Sequence, residues 1–103
     1  MTTRDLELLE ERKALAKQAA AHLYAHGARR VWVFGSIARS RRQDERSDID
    51  LAVEGLPRSD YVRRLGEVMA LTGLPVDLVE LETASPQLRQ HIGLFGRLIP
   101  NED

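Results

Sequence analysis

Apolar residues recur at helical spacing near the start of the chain. Leu6, Leu9, Leu15, Ala16, Ala19, Ala20 and Leu23 are set among Ala, Glu, Lys and Gln. A period near 3.6 through strong helix formers predicts a long amphipathic first helix, which Gly27 can close in the left-handed conformation. The period then changes. Val31, Trp32, Val33 and Phe34 form an unbroken apolar run ending at Gly35, the pattern of a strand covered on both faces. A turn into a short helix follows, with Ser36 at or near its N-cap, and residues 41–47 are polar and aperiodic and read as a loop.

The second half repeats the theme. Residues 49–53 make a second strand on which alternation sends Ile49, Leu51 and Val53 into a core and leaves Asp48 and Asp50 on the other face. Gly55 and Pro57 end it. Ser59 or Asp60 caps a third helix that carries Val62, Leu65, Val68, Met69 and Leu71, with Met69 read as core and Gly73 and Pro75 as the stop. Residues 76–81 form a third strand with Asp77 the one charged residue in its first half. Ser85 and Pro86 then open a short helix through Leu88, Ile92 and Phe95, and residues 96–100 add a terminal edge strand.

The 103 residues suit one domain, 1–103, without repeat, low-complexity tract or linker. No apolar run approaches membrane-spanning length, and the start of the chain, with Arg4, Asp5, Glu7, Glu10 and Glu11, is unlike a signal peptide, so a cytoplasmic location is expected. The absence of cysteine excludes disulfides, thiolate metal sites and a cysteine nucleophile. A net charge of -1 and few aromatic residues argue against direct contact with nucleic acid. Local charge is less even: Arg39, Arg41, Arg42 and Arg46 crowd the stretch between Ser36 and Asp48, and of these Arg39, three residues past Ser36, is the specific candidate for an anion. His22 and His26 stand one helical turn apart, a spacing zinc sites use. Nothing nearby in the sequence supplies a third ligand, and the end of a helix favours a partly positive imidazole, so the pair is not read as a metal site.

Aspartate is disfavoured in strands, so three of them in or beside apolar strands need an explanation. Taken singly, each has an ordinary one. Asp48 could cap a turn, Asp50 could pair with Arg39 or Arg63, and Asp77 could bond to neighbouring backbone. Taken together with Gly35 and Ser36, in this order along the chain, they point elsewhere. Side-by-side carboxylates repel unless a cation sits between them, and the cation that prefers oxygen ligands and shares them with substrate phosphates is Mg²⁺. Gly35 lets a phosphate approach the backbone closely. The residues thus describe a metal-dependent site for a nucleoside triphosphate.

Three segments carry a resemblance: Gly35, Ser36, Ile37, Ala38 and Arg39; Arg46, Ser47, Asp48, Ile49, Asp50, Leu51, Ala52 and Val53; and Val76, Asp77, Leu78, Val79, Glu80 and Leu81. Together they resemble the signature of the minimal nucleotidyltransferases of the DNA polymerase beta superfamily, across nearly the whole chain. Ser40 stands where that family often has glycine, and eleven residues separate Ser36 from Asp48, slightly more than is commonest.

The resemblance implies an α/β (α+β) nucleotidyltransferase fold, a small mixed β-sheet of three to four strands packed against about four helices. It also implies transfer of AMP from ATP to a hydroxyl. Asp48 and Asp50 would bridge two Mg²⁺ ions, Asp77 would complete the site as a ligand or as the base taking the hydroxyl proton, and Gly35, Ser36 and Arg39 would bind the nucleotide. Larger relatives hold the acceptor with additional domains, for which this chain has no residues to spare. The acceptor implied is therefore a protein, and small members of the family are typically antitoxins of HEPN-domain ribonuclease toxins that adenylylate a hydroxyl, commonly tyrosine, on the toxin. Two other readings stay open: a non-catalytic antitoxin that neutralises by stoichiometric binding, and a small scaffold without a nucleotide site.

Overall fold

The computed structural model describes residues 1–44 and 47–102; Arg46, one of the loop arginines, lies outside them. The chain runs α1 (Thr3–Ala25), β1 (Arg30–Phe34), α2 (Gly35–Ala38), β2 (Ile49–Glu54), α3 (Tyr61–Thr72), β3 (Val76–Glu80), α4 (Pro86–Phe95) and β4 (Arg97–Ile99). The strands form one mixed sheet in the order β3-β2-β1-β4. β1 pairs antiparallel with β2 and with β4, while β2 and β3, joined through α3, are parallel. Among the described residues, no helix is long and apolar enough to cross a membrane.

Alternation along the strands divides the sheet into two unlike faces. Val31, Val33, Ile49, Leu51, Val53, Val76 and Leu78 bury one face with Ala16, Ala19, Ala20 and Leu23 of α1 and Val68 of α3. Phe34, Ala52 and Ile92 form a smaller cluster on the other face, with Trp32, Val79, Leu81 and Leu88 against it. Ile49, Leu51 and Val53 are fully buried, each stabilising by about 1.5–3 kcal/mol. A slip of one residue would expose all three and drive Asp50 into the larger core, so the register of β2 is strongly specified.

Several local expectations change. Ser36 is near the N-cap of α2 but not at it, as the second residue of the helix. Helical geometry begins at Gly35, Phe34 occupies the N-cap, and no side chain caps the turn. Neither Ser59 nor Asp60 caps α3 with its side chain, because a 3-10 turn over Arg58–Asp60 feeds the helix directly. Met69 is 39% exposed and not core. The inward stripe of α3 is Tyr61, Leu65, Val68 and Thr72, and helical spacing leaves Met69 one position off it, with Val62 and Leu71 also exposed. The third strand stops at Glu80, where Leu81 enters a 3-10 turn. Gly73 does end α3 in the left-handed region, and the Ser85 hydroxyl does accept from the Leu88 amide at the start of α4.

α1 and α3 also meet through polar groups. His22 Nε2 donates to Glu67 Oε1 at 2.9 Å, and Arg64 Nη1 donates to the same oxygen at 2.6 Å. Hydrogen bonds from His22 and then Arg64 hold the Glu67 carboxyl down at about 2.

Candidate active site

Asp50 and Asp77 are register partners on β2 and β3, and Phe34 is opposite Asp50 on β1. Residues paired across a sheet share a face, so both carboxylates lie on the α4 face, away from the core under α1 and α3. Asp48, exposed and two residues before Asp50, precedes the start of β2. α4 covers the apolar part of this face through Ile92 and leaves both aspartates accessible, Asp50 half-buried and Asp77 exposed.

Gly35 opens α2 directly beside Asp50. It has a φ of +68°, and a Cβ on it would fall onto Asp50 Oδ2. The Asp50 carboxyl therefore packs directly against the backbone of the Gly35-Ser36 turn. Only glycine permits both the backbone conformation and that approach.

The carboxyl of Asp50 is pushed up from 3.8 to about 6, first by burial, then by the charge of Asp77 and of Asp48. Among the described residues, none of the three aspartates is in an ion pair. Asp50 does not pair with Arg39 or Arg63. An all-oxygen donor set with uncompensated negative charge fits a hard divalent cation of the Mg²⁺ class. Among the described residues, the three aspartates do not form a cluster whose ligand atoms all lie within 4.8 Å of one another.

Comparison with known proteins shows the family. The Polymerase beta, Nucleotidyltransferase family matches residues 17–103, a span that contains Gly35, Ser36 and all three aspartates. The chain belongs to that family. It is 38% identical over 73 residues to a candidate protein adenylyltransferase of Methanocaldococcus jannaschii, covering 68% of this chain and 77% of the relative. The fold recurs in a toxin-antitoxin crystal structure with AMP-PNP, at a TM-score of 0.72 and 24% identity, covering 84% of this chain and 74% of that one. It recurs again in a structure of a tri-AMPylated Shewanella oneidensis HEPN toxin in complex with MNT antitoxin, at a TM-score of 0.67 and 21% identity over 86% of this chain and 71% of that one.

Three residues that sequence reasoning passed over hold α2 and the loop that follows it. Gln43, buried in the loop after α2, donates through Nε2 to Ser36 Oγ and to the Arg41 carbonyl, each at 3.0 Å. Because Ser36 Oγ accepts there, its own hydrogen is free to donate elsewhere. Arg12, buried on α1, donates through Nη2 to the Asp44 carbonyl at 3.1 Å, and Arg97 Nε on β4 donates to the Ala38 carbonyl at 3.1 Å. These bonds tie the loop and α2 to the rest of the fold. A glutamine in a polar loop and an arginine on a charged helix carry no distinguishing pattern, so nothing in the sequence marked them.

Arg39, by contrast, is not turned onto a carboxylate. Its guanidinium lies 5.4 Å from the centre of the exposed Phe95 ring at the end of α4. Arg42 pairs with Asp5 of α1 at 3.2 Å.

Proposed function

We propose that this nucleotidyltransferase transfers AMP from ATP to a hydroxyl side chain, a tyrosine, of a HEPN ribonuclease toxin and thereby acts as its antitoxin. The observation that carries the reading is the contact of Asp50 with the Gly35 backbone, which brings a carboxylate directly beside a turn able to receive a phosphate. The M. jannaschii relative supports protein adenylylation, and the AMP-PNP and AMPylated-toxin structures support ATP and a HEPN partner.

In this reading Asp48, Asp50 and Asp77 would hold two Mg²⁺ ions, which when bound would neutralise charge on the triphosphate and acidify the acceptor hydroxyl. Gly35 lets the triphosphate approach the backbone, and Ser36, anchored by Gln43, donates its hydroxyl hydrogen to a phosphate oxygen. Arg39, on leaving Phe95, adds a cation to the β and γ phosphates. The acceptor oxygen bonds to the α-phosphorus, the bond from that phosphorus to the β-phosphate oxygen breaks, pyrophosphate leaves, and Asp77 takes the hydroxyl proton.

The test incubates the purified chain with α-labelled ATP, Mg²⁺ and the HEPN protein encoded beside it. Label on the HEPN protein, lost in Asp48→Ala and Asp50→Ala chains that keep their fold, supports the enzyme. Neutralisation of the toxin undiminished by both substitutions, with no label transferred, assigns the chain to stoichiometric binding instead.

A further inference from the structure

Far from the carboxylates, the helix pair on the opposite face of the sheet holds a second cluster of metal-ligating groups. His22 projects from the last turn of α1, His26 from its C-cap and Glu67 from α3. One ligand atom from each lies within 4.8 Å of the other two, and among the described residues this is the one such group. Two histidines four apart on a helix present neighbouring imidazoles, and a His-x₃-His pair with a carboxylate from another element is a donor set that zinc sites use. Tertiary structure has supplied the third ligand that the sequence lacked.

The surroundings already orient these ligands as outer partners do around a metal. His26 Nδ1 is hydrogen-bonded to the His22 carbonyl oxygen at 2.8 Å. That bond fixes its tautomer and leaves Nε2 with a lone pair. Arg64, its side chain 12% exposed, braces Glu67 through Oε1, and among the described residues no hydrogen bond engages Oε2. The imidazole ring centres are 4.4 Å apart, with the ring planes tilted by 40°. His22 and Glu67 are 27% and 37% exposed, open enough for an ion to enter and for water to complete its coordination.

We propose that His22, His26 and Glu67 bind one divalent transition ion of the zinc class, which takes the place of the proton between His22 and Glu67 and clamps the end of α1 to α3. Imidazole nitrogen favours such an ion over Mg²⁺, so the two sites differ in the metal they select as well as in position. The site is structural with respect to nucleotidyl transfer, because α1 and α3 pack on the sheet face that the aspartates do not share.

The experiment titrates Zn²⁺ into the full chain carrying Asp48→Asn and Asp50→Asn, which removes the carboxylate site as a competitor, and follows heat, melting temperature and, with Co²⁺ in its place, visible absorption. One equivalent of Zn²⁺ per chain, a raised melting temperature and Co²⁺ bands are expected. His26→Gln and Glu67→Gln should each weaken binding at least about tenfold, since even outer-sphere changes cost that much at metal sites. Absence of binding, or weakening of less than about tenfold in both variants, overturns the proposal. Among the described residues His26 bonds only to its own helix, so should Glu67→Gln disturb the fold by freeing Arg64, the His26→Gln chain decides the outcome.

Discussion

Asp50 and Asp77 sit opposite each other on parallel strands, and the carboxyl of Asp50 rises to about 6 through its burial and then the charges of Asp77 and Asp48. A carboxyl raised above its unfolded value of 3.8 binds more protons in the folded chain. Its contribution to stability is therefore fully present below about pH 4 and lost as pH rises through about 6. At neutral pH the ionised group is a net cost, which solvent screening of a half-exposed side chain limits to about 1 kcal/mol. Asp50→Asn should be more stable than the parent by about that amount at neutral pH, with the difference vanishing below about pH 4. Urea unfolding of both chains at the two pH values checks this, and transfer activity should be lost throughout.

Gly35 and Gly73 provide a matched pair, with φ of +68° and +69°. An alanine at either position pays left-handed strain of about 1 kcal/mol. At Gly73 nothing lies within 4 Å of the added carbon, whereas at Gly35 it meets Asp50. Gly73→Ala should lose about that strain and keep its activity. Gly35→Ala should lose about 2 kcal/mol or more and displace the carboxylate, abolishing transfer. Melting curves and the labelled-ATP assay on the two variants make the comparison.

Gln43→Ala removes the donor that anchors Ser36 and opens a small void in the loop. A destabilisation of about 1–3 kcal/mol is expected. In steady-state assays the KM for ATP should rise more than kcat falls, because Ser36 loses its brace while the carboxylates stay in place.

Tyr24 stitches the edge of the sheet. Its hydroxyl donates to the Ile99 carbonyl at 2.5 Å and accepts from the Val31 amide at 3.0 Å, bridging β4 and β1. Tyr24→Phe leaves both backbone groups without that partner and should cost about 1–3 kcal/mol in urea unfolding. Transfer measured well below the melting temperature should be unchanged, since the hydroxyl touches no residue of the candidate site.

Apolar runs, alternation and turn or cap residues together located the strands and the helices that flank them. The reason is that burial of alternating residues such as Ile49, Leu51 and Val53 is a local pattern with a large energy. The same alternation placed Asp50 opposite the core, and the Gly-Ser pair and Asp77 were visible as residues out of character with their surroundings. Other features depended on which segments fold against one another. Only the parallel register of β2 and β3 sets Asp50 beside Asp77, and only the close approach of β2 to the turn after β1 presses Asp50 onto Gly35. Gln43 beneath Ser36, Arg12 beneath the loop, Arg39 on Phe95 and Glu67 beside two histidines join residues distant in the chain or lacking any periodic mark. Short-range patterning records how each residue is buried, but the partner of a polar side chain is chosen by long-range packing, which leaves no period to read.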